Sequence, residues 1–263
     1  MNPPVFDPNW SKELLALYQH DMQEIWDQSI AVQIWNQYHN QLDLYLSLAQ
    51  LKTPLDILDV GCAQGTLALK LAEAGHRVIA VDIRQAFLDY AATRYEYGNV
   101  SFVCGNVLDL ELDRSFDLIF ANQIVEHLVY PLDMVKRLKI LLNPGGRLVI
   151  TTPNGQYVMN KLPFFTELGD PAQWENKQFT ADGDGHFFAY HADELKQIFF
   201  EAGFKNVTIN FFETPWISGH MKLRYLHHLF PGAVLGTLDR FFLKLPVIAR
   251  HMAHQLLVIG NAG

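Results

Sequence analysis

Apolar side chains recur along the chain in two rhythms, one helical and one of short unbroken runs. Leu14, Leu15, Tyr18, Met22, Ile25 and Trp26 fall at helical spacing, as do Ile34, Trp35, Tyr38, Leu42, Tyr45 and Leu46. That spacing predicts two helices, roughly over residues 10–26 and 29–51, each with an apolar packing face. From residue 55 the rhythm changes. Runs at 55–60, 77–82, 99–105, 115–122 and 147–152 are short and apolar. Such strands, buried on both faces, build a parallel sheet with helices on either side. Leu67, Leu69, Leu71 and Ala72 open a helix expected to end near Gly75, and further helices are expected over 132–142 and 192–202. A strand over 205–212 and a last one over 255–259 complete the pattern.

Between the first strand and its helix stands Gly61-Cys-Ala-Gln-Gly65. Glycines at a strand-to-helix turn let a ligand reach bare backbone, and the helix start offers unpaired N–H groups. A nucleotide-like cofactor fits that setting. The spacing excludes the dinucleotide loop G-x-G-x-x-G, because position 66 is Thr, and no G-x-x-x-x-G-K-[ST] phosphate loop occurs. Asp59, two residues ahead of the first glycine, would repel a pyrophosphate and could orient an ammonium group.

Asp59-Val-Gly-Cys-Ala-Gln-Gly65 resembles motif I of class I S-adenosylmethionine (SAM) dependent methyltransferases, with Ala63 where the family often has Gly. The resemblance continues in Phe116-Asp-Leu-Ile, Gln123-Ile-Val-Glu-His127, Pro131 and Asn143-Pro-Gly-Gly146. It spans residues 55–154 and resumes over 191–207. It is nearest to the small-molecule and quinone-pathway members.

The resemblance implies an α/β fold, a Rossmann-like seven-stranded sheet of order 3-2-1-4-5-7-6 with strand seven antiparallel and helices on both sides. It implies one methyltransferase domain: an N-terminal helical cap (1–52), a SAM-binding core (53–154), a substrate lid (155–190) and a C-terminal part (191–263) with a helical insert at 215–253. Asp59, Gly61, Cys62, Ala63 and Gly65 would border the methionine half of SAM. Asp82, at the end of the second strand, would accept from the ribose hydroxyls. Ile83, Asn106 and Val107 would meet the adenine, with Asn106 standing where the family often has Asp. Asn122 and Gln123 would close the methionine end. S-adenosylhomocysteine would be the product.

Composition narrows the guest. At 263 residues and 49% hydrophobic, the chain suits one α/β domain with an extra lobe. A net charge of −8 argues against a nucleic-acid partner. Two cysteines, Cys62 and Cys104, imply a reduced compartment. No signal-peptide pattern and no apolar run of membrane-spanning length occur, so a cytoplasmic location is expected. Charge is unevenly placed: residues 214–263 carry Lys222, Arg224, Arg240, Lys244 and Arg250 against Asp239 alone. Apolar residues there, including Leu229, Phe230, Leu238, Phe241 and Leu245, predict amphipathic helices. A packed lobe is the plainer expectation, and peripheral membrane contact the minority one.

Methyl transfer is an in-line displacement that needs positioning first, and a base only where the acceptor must lose a proton. His127 and His186 are the candidate bases. No resident metal is expected, although Glu126, His127 and His186 offer three ligands in a pattern similar to metal-assisted O-methyltransferases. The expected activity is SAM-dependent methylation of an O or N atom on a small, largely apolar molecule. The alternatives are a metal-assisted O-methyltransferase and a non-catalytic SAM-binding regulator.

Overall fold

The computed structural model describes residues 1–50, 54–178, 186 and 188–263. Seven strands form one sheet: β1 (Asp56–Val60), β2 (Arg77–Asp82), β3 (Asn99–Cys104), β4 (Phe116–Asn122), β5 (Leu142–Pro153), β6 (Asn206–Phe212) and β7 (Gln255–Asn261). Their order is β3-β2-β1-β4-β5-β7-β6. The first five run parallel, and β7 runs antiparallel to both β5 and β6. This is the expected topology, reversed strand included.

Alternation along the central strands divides the core into two layers. Leu58, Ile119, Leu148 and Ile150 pack on one side with Met134, Leu138, Leu195 and Phe199 of α5 (Pro131–Ile140) and α6 (Ala192–Glu201). Ile57, Leu118, Phe120 and Val149 face the other way, onto α2 (Val32–Leu48) and α3 (Thr66–Glu73). Both faces are therefore covered, as the unbroken apolar runs require.

Three expectations shift in detail. The first helix does not run through Trp26: α1 ends at Asp21, and a π turn, Met22–Trp26, follows. The Trp26 indole donates to Asp21 Oδ2 at 2.8 Å, and Asp27 N–H closes on the Met22 carbonyl, which widens that turn. The fifth strand starts earlier than its apolar run. Leu142 pairs with Phe116 ahead of a register shift, and Asn143 Nδ2 bonds Asp117 Oδ1 at 2.7 Å. The segment after β5 is built of short 3-10 turns, pinned by bridges from Asn154 to Tyr190 and from Phe164 to Ala189. Phe179, Gly183 and Gly185, counted with the lid from sequence, lie outside the described residues.

The insert between β6 and β7 holds α7 (Pro215–Ser218), a 3-10 turn (Leu223–His228), α8 (Gly232–Leu243) and α9 (Pro246–Met252). It is fastened inward by polar groups. Asp239 accepts from the Thr214 N–H and hydroxyl at 2.6 and 2.7 Å, and Asn36 of α2 bonds His227 at 3.0 Å. No helix among the described residues is long and apolar enough to cross a membrane.

Candidate active site

In an open parallel sheet a ligand binds beyond the carboxyl ends of the strands, where the chain switches direction. Here that point lies between β1 and β4. A cavity of about 820 Å³ opens there, lined by residues that follow β1, β2, β3 and β4. Its size suits a nucleoside-sized ligand, since small-molecule sites run to roughly 300–1,000 Å³.

The glycine loop forms one wall through tight backbone geometry. Gly61 sits at φ +66°, and a Cβ there would collide with Ile124. Gly65, at φ +74°, caps α3, and a Cβ would lie 2.7 Å from that of Ala91 in α4 (Gln85–Arg94). Ala63 takes the left-handed region at φ +46° despite its side chain. Its N–H donates to Asp82 Oδ2 at 3.0 Å, which holds the loop in that conformation. The other Asp82 oxygen accepts from Arg84 N–H at 2.9 Å. Burial raises the Asp82 carboxyl above its ordinary range, opposed by those N–H groups and by Arg84.

Asp59 faces α3 and accepts from the Ala68 N–H. Burial, then the neighbouring Asp82 charge, push its carboxyl up to about 7. Of the residues expected at the cofactor, Gly61, Ala63, Asp82, Ile83, Asn106, Val107, Asn122 and Gln123 line the cavity. Asp59, Cys62 and Gly65 stand behind its wall, where they shape the loop. The Cys62 thiol is buried, and burial pushes its pKa up and disfavours the thiolate.

The far walls are internally bonded. Asn106 Oδ1 accepts from Leu108 N–H at 3.0 Å, so the side chain folds its own turn as well as facing the cavity. Thr151 donates to Asn122 Oδ1 at 3.1 Å and accepts from Gln123 Nε2 at 3.2 Å. Gln123 also donates to Gln255 Oε1 at 2.9 Å and sits at φ +54°. Sequence reasoning missed Glu13 of α1, the run Arg84 to Phe87, and Leu128 and Met134, all in the lining. Arg84 to Phe87 directly follow Asp82-Ile83, which was signal enough. Glu13 arrives only by docking of α1.

Beyond β4 a 3-10 turn, Val125–His127, carries the polar end of the site. His127 lines the cavity. Glu126 is fully buried, and burial pushes its carboxyl up to about 8. Thr152 donates to its Oε2 at 3.0 Å, while Oε1 has no hydrogen-bond partner and lies 3.9 Å from His186 Nε2. The His127 and His186 rings approach edge to face at 5.0 Å between centroids. Burial lowers the His186 imidazole from its ordinary value. One ligand atom from each of Glu126, His127 and His186 falls within 4.8 Å of the others. The fold thus brings both candidate bases to one place.

A ubiquinone biosynthesis O-methyltransferase from Coxiella burnetii is 33% identical over 122 residues, 41% of this chain and 52% of that protein. This chain thus spans about half the length of such curated relatives. Among solved structures, the N-methyltransferase NodS of Bradyrhizobium japonicum, in complex with S-adenosylhomocysteine, superposes with a TM-score of 0.55 at 15% identity. That match covers 96% of this chain and 99% of NodS. Phosphoethanolamine N-methyltransferase 2 of Haemonchus contortus gives 0.59 at 16% identity, over 97% of this chain and 59% of that one. At such identity these two show the fold. The profile of the methyltransferase domain family matches residues 18–209, most of the chain, and the chain belongs to that family.

Proposed function

We propose that this protein transfers a methyl group from SAM to an O or N atom of a small, largely apolar acceptor. The observation that carries the reading is the cavity at the β1/β4 switch point, which gathers Gly61, Ala63, Asp82, Asn106, Gln123 and His127 in one lining. Asp82 holds the ribose with the lone pairs its backbone bonds leave, and Ile83 and Asn106 flank the adenine. The Gly61–Ala63 backbone borders the methionine end, opposite Asn122 and Gln123. SAM supplies an electrophilic methyl group. The protein's own contribution is to bind, align and exclude water. His127, on the lip of the cavity, takes the proton from an acceptor hydroxyl.

A second reading, metal-assisted O-methylation, is favoured by one observation: the buried Glu126 oxygen without a hydrogen-bond partner, facing His186. A carboxylate with two imidazoles suits a divalent transition ion. Glu126, His127 and His186 would hold it, and the ion would lower the pKa of an acceptor hydroxyl, favouring its deprotonation.

Calorimetric titration of SAM and S-adenosylhomocysteine into ligand-free protein, with and without Mg²⁺ or Zn²⁺, tests both. Micromolar binding of each nucleoside supports the cofactor assignment. Failure of both to bind would overturn it. Binding and acceptor turnover untouched by metal or chelator would remove the second reading, and binding with no turnover on any apolar phenol or amine would favour a non-catalytic SAM binder.

A further inference from the structure

The insert between β6 and β7 is apolar on two sides. Leu235 and Gly236 of α8 turn inward and are buried, with Asp239 bonded to Thr214 beneath them. The outer side carries a second apolar stripe at helical intervals: Val234, Leu238, Phe241 and, just past the helix, Leu245. Phe241 is 59% exposed, and the stripe is flanked by Leu229 at 72% and Val247 at 73%. Eight of the nineteen exposed large apolar side chains among the described residues fall between Met221 and Val247. A surface so dense in apolar groups needs a partner.

Charge says which kind. Lys222, Arg224, Arg240, Lys244 and Arg250 are all exposed. Among the described residues none of them lies in a salt bridge with a carboxylate. The segment's lone acid, Asp239, is buried. A chain of net charge −8 thus presents a net positive charge, five cations against Asp239, on the lobe whose outer face is apolar. A second copy fits poorly, because a two-fold interface would set these cations against their own images. An apolar helix face flanked by cations is instead the pattern of a helix lying in the headgroup layer.

We infer that the outer face of α8, with the turns on either side of it, is a docking surface for an anionic lipid bilayer. Val234, Phe241 and Leu245 enter the acyl boundary while Arg240 and Lys244 meet lipid phosphates. This is independent of the methyl acceptor and of the cofactor assignment.

The test is flotation of the full chain with phosphatidylcholine vesicles, with and without phosphatidylglycerol. Binding to the anionic vesicles alone, weakened by salt, is expected. Arg240→Gln with Lys244→Gln should lower partitioning roughly 30-fold, from about 1 kcal/mol per cation at an anionic leaflet. Phe241→Ser with Leu229→Ser should also lower it; both sites are exposed, and unchanged circular dichroism would confirm the fold. No flotation with either vesicle, or equal flotation with both, would overturn the proposal. A dimer in solution that Phe241→Ser dissociates would assign the face to a second copy and equally overturn it.

Discussion

Arg94 and Asp21 form a fully buried ion pair, Nη2 to Oδ1 at 3.1 Å, that joins α4 to α1. The same guanidinium donates to the Gln64 carbonyl and to Thr66 Oγ1, each at 2.8 Å. Asp21 is held from two further sides by Trp26 and Tyr90, at 2.8 and 2.9 Å. Burial raises its carboxyl and Arg94 opposes that rise. The N-terminal helix is therefore fastened to the glycine loop through one arginine.

Removing one partner of such a pair leaves a buried charge uncompensated. Arg94→Ala is expected to cost about 3–5 kcal/mol of stability. Urea unfolding measures it. Cofactor affinity should fall in the same variant, because Gln64 loses its tether; a stable variant with unchanged affinity would show that the loop holds itself.

Asp82 is expected to carry the adenosine. Asp82→Ala should weaken SAM binding by roughly 2–4 kcal/mol through lost charge-assisted bonds and a loosened Ala63. Asp82→Asn should fall between the two. Calorimetry at fixed salt would show it, and an unaltered dissociation constant for Asp82→Ala would mean the ribose lies elsewhere.

Asp59, just behind the cavity wall, is expected to give SAM affinity a pH dependence. Its carboxyl, pushed up to about 7 by burial and by Asp82, is neutral in acid and charged in base. A cationic ligand favours the charged form, so binding releases a proton and affinity rises with pH through about 7. Asp59→Asn should flatten the rise. An equal slope in the variant would assign the titration to another group.

Glu213, fully buried at φ +61°, is pushed up to about 7 by burial although Gln37 donates to it at 3.0 Å. The folded state therefore holds the Glu213 proton more tightly than the unfolded chain, whose carboxyl titrates near its ordinary 4.5. Below that value the group costs nothing. As pH rises toward about 7 the cost grows, to on the order of 3 kcal/mol above it. Glu213→Gln should thus stabilise the protein at about pH 8 and change little below about pH 4, read by thermal unfolding at both ends.

The strands and the glycine loop were legible because each carries its signal locally: five short apolar runs, and Gly61 and Gly65 at one turn. The loop's inner residues were harder to rank. Asp59 lies next to Val60 in sequence, yet alternation along β1 turns it toward α3 and out of the lining. Glu13 carried no signal at all, since its place depends on how α1 docks. The meeting of Glu126 and His127 with His186 was legible only as a resemblance, because the long segment after β5 decides it.

The strand order has a consequence for how the chain comes together. β7 follows β6 in the chain and yet lies between β5 and β6. While the polypeptide emerges, β1 to β5 can associate and enclose the cofactor crevice. β6 then waits without a neighbour until the final strand slots in beside it. That last pairing closes contacts across long sequence separations, the slow kind. Until it forms, the edge of β5 stays open to pairing with other chains, so assembly is most vulnerable to aggregation during the interval that the insert takes to be synthesised.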